Sequence, residues 1–84
     1  MGSAQWSDLG MFLQTFMLLA EESGLGTCAQ EAWAMHQKAV SMFVKSPVNE
    51  MLFCGMSIGY PDWKQPVNSL ESKRMPLNQW CTWA

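Results

Sequence analysis

The residues with chemistry to offer are few and sit in short stretches. The first stretch, SGLGTCAQEAW at residues 23–33, sets two glycines one residue apart ahead of a helical pattern. A dinucleotide-binding turn follows a strand and carries a third glycine; Gly24 and Gly26 follow a helical segment and lack it. The pair reads as a turn between helices, not a phosphate cradle. Lys73 and Arg74 are adjacent cations in a segment that ends at Pro76. A guanidinium can grip two oxygens at once, whereas an ammonium acts as a point charge, yet by type alone such a pair reads as solvated. His36 has no ligand-type partner at helical spacing and reads as a surface or interface residue. Cys28, Cys54 and Cys81 form an odd set without CxxC spacing, which supports neither a metal site nor a disulfide framework and points to a reducing, cytoplasmic setting. Cys28 has no identifiable base to activate it, so no catalytic side chain is assigned.

The chain has 84 residues, of which 49% are apolar and 14% charged, with eight Met, five Trp and four Phe. A chain this short buries only about 60–65% of its unfolded surface. So much apolar side chain exceeds what so small a core can hold, which implies burial against something else. The net charge of −2, with five basic residues in all, leaves no stripe to neutralise a phosphate backbone and argues against nucleic acid. The longest apolar-rich segment, Leu9 to Ala20, is too short to span a bilayer and is interrupted by Gln14 and Thr15. The expectation is a soluble protein with no membrane partner.

Helical spacing of Leu9, Phe12, Leu13, Phe16, Met17 and Ala20 predicts a helix over about 6–23, with Ser7 as its N-cap. Met11, Leu18 and Leu19 fill its other faces, and a helix apolar nearly all round needs cover on several sides. Gly24 is expected to stop it in the left-handed conformation, with Leu25 folding back. A possible capping box, Thr27-x-x-Gln30, predicts a second helix over 28–44, ended by Ser46 and Pro47. The near-continuous apolar run at 50–59 reads as a central strand covered on both faces. An irregular loop over 60–78 and a C-terminal strand over 79–83 complete an α+β reading of residues 1–84 as one partial domain.

This order resembles the C-terminal part of the FMN-dependent nitroreductase family. The resemblance rests on "DLGMFLQTFMLLAEESGLGT", "CAQEAW", "EMLFCGMSIGYP" and "PVNSLESKRMPLNQWCTW", taken together over almost the whole chain. It implies that the first helix is the central helix of a homodimer interface and that the C-terminal strand crosses to the second subunit. It also implies that the family's N-terminal half, which holds much of the FMN, has no counterpart here.

By the same resemblance, backbone N–H groups of Ala29, Gln30, Glu31 and Ala32 meet the N5 and O4 edge of the flavin. Oriented donors there would stabilise the negative charge that hydride reduction places on the ring. The family often has Pro where Ala29 stands and Gly where Ala32 stands. Arg74 matches the basic residue placed on the FMN phosphate, with Lys73 assisting by charge; Ser72 stands where some members carry a second basic residue. The implied function is that of an NAD(P)H oxidoreductase passing electrons through FMN to a small acceptor. The isolated chain would lack full activity unless a complementary N-terminal polypeptide completed it. The alternative is a non-catalytic homodimeric module that keeps only the family's interface.

Overall fold

The computed structural model describes residues 2–84. In chain order its elements are α1 (Ser3–Glu22), β1 (Gly26–Gln30), a 3₁₀ helix (Glu31–His36), α2 (Gln37–Val44), β2 (Gly55–Gly59), a 3₁₀ turn (Pro66–Ser69) and a single helical turn, α3 (Leu77–Trp80). β1 and β2 form an antiparallel pair in which Gly26 faces Gly59 and Gln30 faces Gly55. α1 packs on β1, and the 3₁₀ helix packs on both β2 and α2.

α1 starts a turn earlier than the capping signal at Ser7 suggested. The cap is Gly2, whose N–H donates to Gln5 Oε1 at 2.6 Å. The Ser7 hydroxyl instead donates back to the Ser3 carbonyl at 3.1 Å, the usual fate of a serine inside a helix. The C-terminal stop is as expected. Gly24 takes φ +81°, its N–H bonds the Glu21 carbonyl at 3.0 Å, and Leu25 N–H bonds the Ala20 carbonyl at 2.9 Å. Those two bonds define a Schellman motif, which satisfies carbonyls the helix leaves unpaired. Ala20, beneath Leu25, is the one buried apolar residue among those described, at 8% exposure.

The helix expected over 28–44 is three elements. Residues 26–30 are a strand, and Gln30 lies at φ −130°, ψ 94°. The Thr27-x-x-Gln30 capping box therefore does not form. Pairing with β2 has overridden a weak local signal, as tertiary contacts routinely do. After Gln30 the chain winds six residues of 3₁₀ helix before α2 begins, a run longer than such helices usually sustain. α2 ends at Lys45, which adopts the left-handed conformation at φ 58° without being glycine. The Leu52 N–H then donates to Gln37 Oε1 at 2.6 Å, tying the approach to β2 onto α2. At the next residue, Trp6 of α1 meets Phe53 with ring centroids 5.5 Å apart.

The ladder of β2 covers 55–59 rather than all of 50–59, because β1 offers only five partners. The strand expected at 79–83 needs the sheet edge of a second subunit; within one chain its first two residues are helical. Residues 77–80 wind one helical turn behind Pro76, closed by Cys81 N–H on the Leu77 carbonyl at 2.9 Å. Cys81 beyond it is extended. A strand exists only with a neighbour to bond, and this chain supplies none there. The loop over 60–78 is irregular apart from the turn at Pro66–Ser69.

The chain exposes far more surface than its mass warrants. Its accessible area is 7816 Å², against about 5,000 Å² for a compact monomer of this size. The radius of gyration is 16.6 Å, against about 12 Å for a globule of this length. Phe12 on α1 is 64% exposed and Phe43 on α2 is 88% exposed. The apolar faces of both helices are formed but uncovered. No described helix is long and apolar enough to cross a membrane.

Candidate functional site

The corner where β1 hands over to the 3₁₀ helix holds Ala29, Gln30, Glu31 and Ala32. Ala29 opposes Met56 and Gln30 opposes Gly55. In an antiparallel ladder successive residues turn their N–H groups alternately toward and away from the partner strand. Of Ala29 and Gln30, therefore, only one aims its N–H out of the pair. Helical winding begins at Glu31, three residues later than the helix expected over 28–44. The N–H groups of Glu31 and Ala32 have no acceptor within that winding. Ala29, Glu31 and Ala32 are exposed, and Gln30 is half-buried. The two alanines carry only methyl groups, so a flat ring could approach the backbone here.

Alternation along the strands sorts the corner's side chains. Gly26, Cys28 and Gln30 share one face with Gly59, Ser57 and Gly55; Thr27 and Ala29 share the other with Ile58 and Met56. The first face carries small or polar groups, and Trp33 lies over its end. A Cβ added to Gly55 would fall 2.5 Å from Trp33 Cδ1, so the indole sits directly on the glycine backbone. Trp33 Nε1 donates to Gln30 Oε1 at 2.9 Å. Gln30 is the residue that caps the 3₁₀ helix and Trp33 the third within it, which brings the two side chains within reach. A glycine inside a strand pattern marks a close approach, so Gly55 was a usable signal in the sequence. Nothing there pairs Trp33 with Gln30.

Lys73 and Arg74 are exposed in the irregular segment before Pro76. Arg74 Nη1 donates to Ser72 Oγ at 2.7 Å and to the Lys73 carbonyl at 3.5 Å. The shorter bond fixes one arm of the guanidinium and leaves it further donors to offer. Among the described residues, the hydrogen bonds of Lys73 and Arg74 stay within 72–74. One chain thus assembles the corner without tying the basic pair to it.

Two open clefts flank the corner. One, of about 350 Å³, runs along Gly26–Cys28, Ser57–Asp62 and Asn68. The other, about 450 Å³ and almost wholly apolar, lies among Trp33, His36, Ala39, Val40 and Phe43. His36 therefore lines an apolar groove. Cys28, Cys54 and Cys81 are free thiols, and no group of three or more His, Cys, Asp or Glu among the described residues could hold a metal ion.

A two-stranded sheet flanked by helices, with apolar faces left bare, is part of a larger α+β fold. The profile of the Nitroreductase family matches residues 1–60, and the chain belongs to that family. It is 45% identical over 71 residues to a 4-nitrobenzoate reductase of Pseudomonas putida, covering 84% of this chain and 30% of that protein. Identity to the nitrobenzene nitroreductase of Ectopseudomonas oleovorans is 36% over 73 residues, covering 87% and 32% respectively. The fold matches that of the FMN and NADPH-dependent nitroreductase NfnB from Sphigopyxis sp. strain HMH with a TM-score of 0.95 at 40% identity, over 100% of this chain and 38% of that one. The chain spans about a third of the length of these relatives.

Proposed function

We propose that the chain supplies the C-terminal part of a cytoplasmic, FMN-dependent nitroreductase. The observation that carries this reading is the match to NfnB, which includes every element from α1 to the tail. When bound, FMN would supply the hydride and electron chemistry, taking reducing equivalents from NAD(P)H and passing them to a nitroaromatic or similar small acceptor.

The work left to this chain's residues is binding and orientation. The corner suits a flavin edge: backbone donors at Glu31 and Ala32, methyl-sized neighbours at 29 and 32, and strand pairing that holds Ala29 and Gln30 still. Arg74, braced by Ser72, suits a phosphate, with Lys73 adding charge. Because the basic pair is not tied to the corner within one chain, the site would be completed by a second copy or by a complementary N-terminal polypeptide. The bare apolar faces of α1 and α2 give such a partner something to cover.

A second reading is favoured by the same exposed surface. The chain would be a homodimeric module that keeps the family's interface and performs no chemistry, its extended C-terminal residues reaching the other copy. FMN titration of the purified chain separates the two. Saturable quenching of flavin fluorescence supports the flavoenzyme reading, and a flat titration by a folded chain supports the module.

A further inference from the structure

The side of the corner that carries Gln30 is organised by a residue outside the proposed flavin contacts. Three observations converge on it. Gln30 and Gly55 face one another across the ladder, so their side-chain positions lie on the same face. At Gly55 that position is empty, and the Trp33 indole fills it so closely that a methyl group there would collide with Cδ1. From that seat Trp33 Nε1 bonds Gln30 Oε1 at 2.9 Å.

The chemistry of the bond has a directional consequence. An indole N–H is a donor only, so it selects the oxygen of the Gln30 carboxamide. The amide is thereby turned with its NH₂ group away from the indole, and among the described residues Nε2 of Gln30 donates no hydrogen bond. A glutamine left to itself would sample both orientations and several rotamers. Here one orientation is selected in advance, at the strand end within Ala29–Ala32.

We propose that Trp33 is a positioning residue for the flavin-facing corner: seated on Gly55, it fixes the end of β1 and presents the Gln30 carboxamide as an outward hydrogen-bond donor to an acceptor on the bound ring. This rests on the reading of the corner as a flavin contact. It adds a side-chain donor to the backbone donors, and it assigns Gly55 a role through Trp33. The ligand chemistry it selects is a planar heteroaromatic with carbonyl or imine acceptors at its edge, for which an NH₂ donor is complementary.

The test uses the full chain in its native assembly and two variants. Trp33→Phe keeps an aromatic ring and removes the donor with the pyrrole half of the indole that rests on Gly55; Gly55→Ala displaces the indole from its seat. Nuclear magnetic resonance of the flavin-free protein reads the lock itself, through the Trp33 indole N–H signal and the Gln30 carboxamide signals. FMN titration and the visible absorption band of the bound flavin then read its effect. The expected result is a Gln30 carboxamide shifted in both variants, FMN affinity lowered about tenfold, and an altered flavin band in Trp33→Phe with the fold intact. A Val48→Ala control, at a fully exposed position between α2 and β2, leaves all three unchanged. If the wild-type chain binds FMN and Trp33→Phe binds it equally well with the same band, the positioning role is overturned while the flavin reading stands. If the wild-type chain fails to bind FMN at all, the flavin reading falls and takes this role with it, whatever the resonance signals show.

Discussion

The corner, rich in small and polar residues, and the outer helix faces, rich in large apolar ones, end in opposite states. Around the corner, strand pairing, the Trp33–Gln30 bond and the seat on Gly55 tie each element to another within the chain. On α1 and α2 the helices are fully wound, yet Met11, Phe12, Leu18, Leu19, Met42 and Phe43 all face outward. Hydrogen bonding is local and can be completed by 84 residues; apolar burial needs volume, and this chain has too little to surround either helix. The corner is therefore a finished device on an unfinished core. Its precision depends on whatever covers the rest.

The largest effect should come from the bare side of that comparison. Phe12→Asp with Leu19→Asp places charges seven residues apart on one face of α1. Each buried apolar side chain of this size contributes about 1.5–3 kcal/mol, so the double variant should lose its assembly in sedimentation equilibrium. Retention of the assembly would mean that α1 is not the covered face. The next effect belongs to the proposed flavin site. Arg74→Ala should weaken FMN binding about tenfold or more, as expected for loss of charge-assisted bonds to phosphate, and an unchanged affinity would remove Arg74 from the site.

Two smaller changes sharpen the other side. Gly55→Ala forces the indole or the strand to move, at a cost of about 1–3 kcal/mol, visible as a lower unfolding midpoint in denaturant. Gly24→Ala meets open space, so its cost should be only that of a left-handed non-glycine residue, about 1 kcal/mol. A larger loss at Gly24 than at Gly55 would reverse the ranking of turn and lock.

What the sequence made legible follows the same division. α1 and its stop were readable because helical periodicity, Gly24 and Leu25 are all local signals, and each has its counterpart in the Schellman motif. Ser7 misled because the helix is already wound from Ser3, which leaves its hydroxyl inside the helix and bonded to the Ser3 carbonyl. β1 was misread as a helix start because Thr27 and Gln30 fit a capping box, while the strand that overrules them lies some thirty residues away. The strand expected at 79–83 has no edge to join within one chain, where residues 77–80 wind a helical turn instead. The resemblance pointed to residues 29–32, but the Trp33–Gln30 bond came only from the fold.

The central claim is that the apolar faces of this chain are covered by protein in solution, and light scattering on the purified chain at micromolar concentration tests it most directly. The account predicts a particle of at least twice the 9.5 kDa chain mass. A folded, compact monomer would contradict it.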